Sequence, residues 1–335
     1  MGNLMRRLVI LVIAVALVFG LGKGALAGKH VIKAVSAWPK TVYEVKNFIK
    51  LLEIVEKNVA GRAPAQLEVK YLGGPEVIPN RDQVEALRRG LVGMVFTTSG
   101  YYVSAVPVVD GLNLSELNPW EEREKGVNSF LNNIHNEKVK AEYLGRLGVG
   151  LPFMLFLNKP ISKVSDLKGM KIRCSPTHTA FLKKIGAQPV VIPPPDVYTA
   201  LERGVVDGFI WVAGLIRDWG WDKVVKYRVE PGFYAATNVV LINKKVWDDL
   251  PGNLKKILLD SEVEAEKAAA KRAEKHLAHE NALMEKAGMK VIKLSPVEAK
   301  KLKKAAYDAL WEVVIRKSGD NGRKLRKMIS KELWN

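Results

Sequence analysis

The sequence predicts an α/β fold of two lobes, joined by two crossing strands and by one long helix that spans both lobes. Three observations support this prediction. Residues 166–208 alternate strand and helix patterns, as in a parallel sheet that is covered by helices. Extended runs at 148–158 and 235–245 are long enough to pass from one lobe to the other. Residues 254–287 contain neither glycine nor proline, which predicts a single helix.

The first 27 residues have the three parts of a secretory signal peptide. An arginine pair at 6–7 precedes an apolar run at 8–21, and the sequence ALA at 25–27 supplies the small residues of a cleavage site. The apolar run is shorter than the roughly 20 residues that a membrane-spanning helix needs, which disfavours an uncleaved anchor. We therefore expect cleavage after residue 27 and a diffusible protein in the periplasm.

Removal of the leader leaves about 308 of the 335 residues, a length typical of two packed domains. The predicted division is lobe I at 28–151 plus 239–279, and lobe II at 152–238 plus 280–335, each an α/β unit. Cys174 is the single cysteine of the sequence, so an intramolecular disulfide is excluded.

The formal net charge is +18, and about +15 remains without the three basic residues of the leader. This surplus favours the attraction of anions in general and does not indicate one fold or one site. Nucleic acid is not an expected partner, because the lysines are spread along the chain and are not interleaved with aromatic residues. We expect a monomer.

The chain before residue 150 predicts the elements of lobe I. They are, in order, strand 30–37, helix 41–58, strand 66–71, helix 81–89, strand 93–97 and helix 120–147. The segment TSGYY at 98–102 is rich in hydroxyl and aromatic side chains. Two interpretations of it stay open: a loop that lines a small-molecule site at a strand end, or a surface turn with packed tyrosines.

The later part of the chain continues the alternation. It predicts strand 171–174, helix 176–185, strand 188–192, helix 196–203, a strand entering at Gly208, helix 254–287, strand 289–294 and two basic helices. At 1.5 Å per residue the long helix would extend roughly 50 Å, enough to span both lobes. Ligands of such sheets bind at the carboxyl ends of the strands, and Arg173 lies at one of these ends.

Catalytic and metal-binding patterns are missing from the sequence. No nucleophile with a base, no carboxylate pair and no metal cluster can be assembled from it. His276 and His279 are three residues apart, but nothing nearby supplies further ligands, so a solvated helix face is favoured. Cys174 has no assignable base and is interpreted as a small packing residue. We therefore expect neither an enzyme nor a cofactor.

Arg173 is the strongest candidate for a binding residue. A planar guanidinium can hold a carboxylate through two parallel hydrogen bonds, and the helix that starts nearby adds backbone donors. The alternative is an ordinary structural salt bridge, which would be favoured for an isolated arginine. The surrounding sequence favours the binding role.

The residues around Arg173 resemble the dicarboxylate-binding type of solute receptor from tripartite ATP-independent periplasmic (TRAP) transporters. The motifs that carry the resemblance are DLKGMKIR at 166–173 and YTALERGVVDG at 198–208. Segments 73–79 and 240–251 are also similar to family sequence, so the resemblance covers nearly the whole mature chain. It implies a two-lobed periplasmic binding protein fold that closes on an organic acid and delivers it to a membrane permease. It also implies Arg173 as the main carboxylate anchor.

Departures from the family pattern bear on the ligand. Many relatives carry a second arginine near 151–153 and an asparagine after the GVVDG motif, where this chain has Pro152 and FIW at 209–211. A simple dicarboxylate or sialic-acid pocket is therefore not expected. The segment GFIWVAG is similar to the branch that binds 2-oxo or 2-hydroxy monocarboxylates, some of them as calcium complexes. Ile210 and Ala235 stand in place of the acidic calcium ligands, so no metal is expected.

The predicted pocket places Arg173 on the ligand carboxylate. Its aromatic walls are Trp38, Tyr101, Trp211 and Phe233, and Tyr234 and Asn238 add polar orientation. Such a pocket suits an apolar, aromatic or 2-oxo/2-hydroxy monocarboxylate. Two alternatives stay open: the receptor of another importer or of a sensor, and an exported enzyme of similar architecture.

Overall fold

Two sheets organise the computed structural model, which describes residues 28–148 and 150–330. The signal peptide predicted for residues 1–27 lies outside the described residues. The strands, in chain order, are β1 (His30–Ser36), β2 (Leu67–Gly73), β3 (Met94–Thr98), β4 (Ala141–Arg146), β5 (Phe153–Leu157), β6 (Lys171–Cys174), β7 (Gln188–Val191), β8 (Gly208–Val212), β9 (Tyr227–Glu230), β10 (Asn238–Asn243) and β11 (Lys290–Lys293).

Helices cover the faces of both sheets. They are α1 (Tyr43–Arg62), α2 (Gln83–Arg88), α3 (Ser99–Tyr102), α4 (Pro119–Glu124), α5 (Val127–Val139), α6 (Thr179–Lys184), α7 (Val197–Glu202), α8 (Lys244–Asp249), α9 (Gly252–Lys286), α10 (Pro296–Ser318) and α11 (Asp320–Ile329). Short 3₁₀ segments precede α6 and α7. Among the described residues, no helix is both apolar enough and long enough to cross a bilayer.

Each sheet forms the centre of one lobe. The sheet of lobe I has the order β2-β1-β3-β10-β4, with β1 parallel to β2 and β3 and with β10 antiparallel to β3 and β4. The sheet of lobe II has the order β11-β9-β5-β8-β6-β7, in which β6 is parallel to β7 and β8. The chain leaves the first sheet after β4 and returns to it at β10. The predicted α/β fold with two lobes is confirmed.

Two linkers, rather than two continuous strands, join the lobes. The N–H of Phe153 donates to the carbonyl of Tyr234, and the N–H of Ala236 donates to the carbonyl of Leu151. Pro152 and Ala235 form an antiparallel bridge between these bonds. The two passages between the lobes therefore run side by side as one short extended pair.

The predicted helix at 120–147 is wrong. Gly126 adopts a left-handed conformation with φ of 74° and separates α4 from α5, and Lys140, with φ of 51°, ends α5. The residues after Lys140 form β4, which pairs with β10. The segment at 98–102 also differs from the predicted loop, because its residues from Ser99 onward form the short helix α3.

The long helix α9 contacts both lobes, as predicted. It has 35 residues, which corresponds to roughly 50 Å at 1.5 Å per residue. In lobe I, Ser261 accepts a hydrogen bond from Asn58 of α1. In lobe II, the Nε2 of His276 lies 3.0 Å from the carbonyl oxygen of Gly214. Small buried residues such as Ala265 and Ala269 let the helix approach its neighbours closely.

Helix α10, which precedes the last described helix α11, packs against both lobes. The indole ring of Trp311 packs against Gly111 of lobe I, where an added Cβ would crowd the ring. On the other side, Glu312 forms an ion pair with Lys184 of α6, with 2.5 Å between Oε1 and Nζ. Assignment of 280–335 to lobe II alone therefore stays a prediction.

Strand β8 offers a test of the lobe II sheet, because it carries Trp211 and begins at Gly208 beside the carbonyl oxygen of Phe156. A Cβ added to Gly208 would overlap that backbone oxygen, which cannot rotate away. We expect Gly208→Ala to lower the free energy of unfolding by about 1–3 kcal/mol in denaturant titrations.

Gly252→Ala is the matched control, since an added Cβ there meets no atom within 4 Å. We expect its unfolding midpoint to stay at or slightly above that of the wild type. Wild-type stability in Gly208→Ala would contradict the close packing of β8 against β5.

Candidate functional site

A narrow cavity lies where the two lobes meet. Its volume is about 30 Å³, and it lies at the carboxyl ends of β1, β3, β6 and β8, beside the start of β10. Its lining residues are Trp38, Glu44, Thr98, Gly100, Tyr101, Asn113, Phe153, Ser175, Thr177, His178, Trp211, Val212 and Asn238. Ligands of α/β sheets bind at such strand ends, so this position marks the candidate ligand site.

Arg173, the next-to-last residue of β6, is buried behind this lining with 2% of its surface exposed. Its Nε and Nη2 donate to the carbonyl of Ile192 at 2.9 and 2.7 Å. Within the described part of the chain, its Nη1 has no hydrogen-bond partner and no Asp or Glu pairs with it. Burial lowers the pKa of Arg173 to about 10, which reflects the cost of holding this charge without a counter-ion.

Two tryptophans hold the guanidinium of Arg173. Its Cζ lies 5.0 Å from the ring centre of Trp211 and 5.8 Å from that of Trp221, distances typical of cation–π contacts. Trp211 also lines the cavity, and its indole N–H is without a hydrogen-bond partner among the residues described. Trp211 thus connects Arg173 to the cavity and brings an unused donor to the same place.

On the lobe I side, predicted residues Trp38, Tyr101 and Asn238 all line the cavity. The rings of Trp38 and Tyr101 are 5.9 Å apart and form one aromatic wall. Burial raises the pKa of Tyr101, and the charge of Arg173 partly opposes this effect. Asn238 begins β10 opposite Thr98, which places its side chain beside the ends of both strands.

Glu44 is a lining residue that the sequence reasoning missed. It is in the first turn of α1, and only 5% of its surface is exposed. Its Oε2 lacks a hydrogen-bond partner among residues 28–148 and 150–330. Burial raises the pKa of Glu44 to about 8, and the nearby charge of Asp218 acts in the same direction. The sequence position of Glu44 could have indicated this role. A helix that starts just after the end of β1 has its first turn near the ligand-binding end of the sheet.

His178 is a second residue that was missed. Its Nδ1 lies 2.8 Å from the hydroxyl of Ser175, and its Nε2 has no partner in the described chain. Burial and, to a smaller extent, the charge of Arg173 lower the pKa of His178 to about 3, so the imidazole is neutral. It can therefore donate or accept one hydrogen bond at Nε2, depending on its tautomer.

Direct contacts join the lobes around the cavity. The buried carboxylate of Asp110 in lobe I accepts hydrogen bonds from Ser99 at 2.7 Å and from Thr177 of lobe II at 2.9 Å. At the cleft edge, the backbone N–H of Tyr43, the first residue of α1, donates to Asp218 of lobe II at 2.7 Å. An acid from one lobe therefore caps the start of a helix in the other.

Phe233 and Tyr234 lie outside this cavity lining, in contrast to the predicted pocket. Phe233 packs against Phe181 with 4.7 Å between ring centres and borders a different cavity, beside Tyr307. The hydroxyl of Tyr234 donates to the carbonyl of Ala306 in α10 at 2.7 Å. Pairing between the two linkers turns this segment toward α10 and away from the ligand site.

The remaining residues that could carry chemistry, His276 and Cys174, lie in surroundings typical of packing residues. His276 stacks on Tyr43 with ring centres 3.8 Å apart. Burial raises the pKa of the Cys174 thiol, which disfavours the reactive thiolate. The described residues contain no group of three or more His, Cys, Asp and Glu side chains arranged to hold a metal.

Comparison with known proteins places the chain among solute-binding proteins. The family model for bacterial extracellular solute-binding protein, family 7 (DctP) matches residues 36–317. A monocarboxylate 2-oxoacid-binding periplasmic protein of Nostoc sp. is 27% identical over 240 residues, covering 69% of this chain and 64% of that relative. The match thus spans somewhat less than two thirds of the relative's length.

Solved structures agree in fold. A TRAP periplasmic solute-binding protein of Desulfovibrio salexigens with bound orotic acid has a TM-score of 0.79 at 22% identity, covering 90% of this chain and 97% of that one. A Bordetella pertussis extracytoplasmic solute receptor binding pyroglutamic acid has a TM-score of 0.78 at 21% identity, with coverages of 90% and 99%. The family match and the two-lobed fold confirm the resemblance seen in the motifs at 166–173 and 198–208, and the chain belongs to family 7 (DctP) of the bacterial extracellular solute-binding proteins.

Proposed function

We propose that the protein is the extracytoplasmic receptor of a TRAP transporter, which captures a small organic monocarboxylate between its lobes and delivers it to the membrane permease. The observation that carries this proposal is the buried guanidinium of Arg173, whose Nη1 is unpaired within the described chain. A charge in this setting is costly unless a counter-charge accompanies it. A ligand carboxylate supplies that counter-charge in a planar, hydrogen-bonded form.

The lining supports a monocarboxylate over a dicarboxylate. Among the described residues that line the cavity there is no lysine or arginine, so Arg173 behind them is the single candidate anchor for an anion. Trp38, Tyr101 and Trp211 offer aromatic walls for the rest of the molecule. The Nostoc relative is named for monocarboxylate 2-oxoacids, and the two structural relatives bind orotic and pyroglutamic acid, each with one carboxyl group. An apolar, aromatic or 2-oxo/2-hydroxy monocarboxylate fits these features.

Binding and closure are coupled because both lobes contribute to the cavity. Arg173, Trp211 and His178 come from lobe II, whereas Trp38, Tyr101 and Asn238 come from lobe I. A ligand held by Arg173 gains the lobe I contacts only when the lobes approach. Its differential affinity for the closed arrangement shifts the conformational equilibrium toward closure.

An exported enzyme is the second candidate, and one arrangement in the cavity bears on it. Ser175 and His178 form a hydroxyl–imidazole pair at 2.8 Å. A pKa of about 3 makes His178 a very weak base near neutral pH. This favours a positioning role for the pair over acyl transfer. Chromatographic turnover of a bound acid would support the enzyme instead.

Replacement of Arg173 tests the anchor directly. We expect Arg173→Ala to weaken monocarboxylate binding by about 2–5 kcal/mol, which places it beyond detection in isothermal titration calorimetry. The fold should persist, since the guanidinium makes no ion pair with another described residue. The control is Arg89→Ala, which removes an exposed arginine paired with Glu85. Affinity of Arg173→Ala within about threefold of the wild type would refute the assignment.

Replacement of Asp218, which caps α1 from the opposite lobe, tests the contribution of this contact to closure. Asp218→Ala removes an interlobe hydrogen bond at a residue outside the cavity lining, and it also removes a like charge near Glu44. We expect the dissociation constant to rise about two- to tenfold, mainly through faster ligand release in stopped-flow measurements. Asp248→Ala is the control, because Asp248 pairs with Lys244 within α8. Equal release rates in Asp218→Ala and the wild type would show that this contact does not contribute to closure.

We propose that binding needs no calcium ion. Hard cations such as calcium require several oxygen ligands. Ile210 and Ala235, which stand in place of the acidic calcium ligands of the similar branch, offer no side-chain oxygen. The dissociation constant of a bound acid should stay within about twofold between EDTA and millimolar calcium. A loss of binding in EDTA that calcium restores would overturn this proposal.

A further inference from the structure

The carboxyl group of Glu44 is the one acidic side chain that lines the cavity in the described chain. It also borders a smaller adjoining space with Tyr43, Asn47 and Ala236. Its Oε2 is buried and unpaired in that same part of the chain. Most buried polar atoms have a partner, so this oxygen requires an explanation.

The surroundings of Glu44 favour a neutral carboxyl group. No lysine, arginine or histidine of the described residues forms an ion pair with it, and Asp218 contributes a like charge. An ionised carboxylate in such a position would lack both water and a counter-ion. A protonated carboxyl group instead presents one O–H donor and one carbonyl acceptor.

Resting on the proposed function, we propose that Glu44 in its neutral form hydrogen-bonds an uncharged polar group of the ligand, an amide or a hydroxyl. Glu44 then determines specificity, and the substrate class is a monocarboxylate that carries such a group. Arg173 binds the carboxylate from lobe II, and Glu44 binds the second group from lobe I. An amide is the better complement, because its N–H and carbonyl can engage both functions of the acid.

Other chemical groups of the ligand would fit the surroundings of Glu44 less well than an amide or a hydroxyl. A second carboxylate would bring a like charge toward Glu44 and Asp218, and it would find no further cation among the lining residues described here. A purely apolar acid would leave the buried Oε2 without a partner. Sites with buried hydrogen-bonding groups reject analogues that lack the matching group.

Two pairs of acids with matched shapes test the proposal by isothermal titration calorimetry. The first pair is pyroglutamate (5-oxopyrrolidine-2-carboxylate) and 3-oxocyclopentane-1-carboxylate. The second of these acids has a methylene group in place of the ring N–H. The second pair is 2-hydroxy-3-methylbutanoate and 3-methylbutanoate. We expect the wild type to bind the polar member at least about tenfold more tightly in one of these pairs.

Variants of Glu44 identify the residue responsible. We expect Glu44→Met, of similar volume, to reduce that preference to within about threefold, since it has neither donor nor acceptor. Glu44→Gln should retain most of it, because an amide still donates and accepts. Glu85→Met, a replacement at a partly exposed residue outside the cavity lining, should keep the wild-type preference.

The outcomes separate this inference from the proposed function. If the wild type binds monocarboxylates through Arg173 without preferring the polar members, or if Glu44→Met keeps the preference, the role of Glu44 is refuted and the receptor stands. If no monocarboxylate binds at all, both proposals fail. Stronger binding of pyrrolidine-2-carboxylate, which carries an ammonium group, would show that Glu44 acts as an anion and would also refute its neutral form.

A stability measurement checks the protonation state even if Glu44→Met does not fold. The pKa of Glu44 is raised from 4.5 to about 8 in the folded protein, so wild-type stability from this group is fully present below the lower value and is lost as the pH rises to about 8. Titratable or charged groups around it are Tyr43, Tyr101, Asp218, Arg272 and His276. Glu44→Gln should melt about 2–6 °C higher than the wild type at pH 8.5, with a smaller difference at pH 5. Equal differences at both pH values would refute a neutral Glu44.

Discussion

The burial of Arg173 without a counter-ion among the described residues is the constraint on which the proposed ligand site depends. Two of its donors are used by the carbonyl of Ile192, and its face is held by Trp211 and Trp221. These contacts orient the guanidinium but leave its charge uncompensated within the described chain. The protein therefore carries an electrostatic cost, and in the proposed function an anion of suitable shape would relieve it and so connect ligand charge to the stability of the closed lobes.

Most of the fold could be predicted from local patterns. Strand β6, helix α9 and the alternation that follows Arg173 are specified by nearby residues, and they lie close to their predicted bounds. The helix predicted at 120–147 failed because apolar spacing continues past Lys140 into β4. The strand character of β4 comes from pairing with β10, almost one hundred residues later. Such long-range pairing leaves little trace in a local pattern.

The candidate cavity was predictable where position along a strand determines its lining. Trp211 and Asn238 line it from strand ends, and the aromatic wall of Trp38 and Tyr101 follows two further ends. Arg173 also lies near a strand end but is not part of the lining. Phe233 and Tyr234 were placed in the pocket by composition, but their direction depends on the linker pairing and on Ala306 of α10. From the sequence alone, Glu44 is an ordinary acidic residue in the first turn of a helix. It lines a cavity together with residues of the opposite lobe, and a local pattern does not show this.

The packing of Arg173 has a spectroscopic consequence. Trp211, Trp219 and Trp221 form a cluster with ring centres 5.0–6.2 Å apart, and the guanidinium lies against two of these rings. Indole emission responds to the electric field of nearby charges. If a carboxylate binds Arg173 as proposed, it would change that field at the centre of the cluster. The cluster would then act as an intrinsic fluorescent reporter of the proposed anion site, with no attached dye.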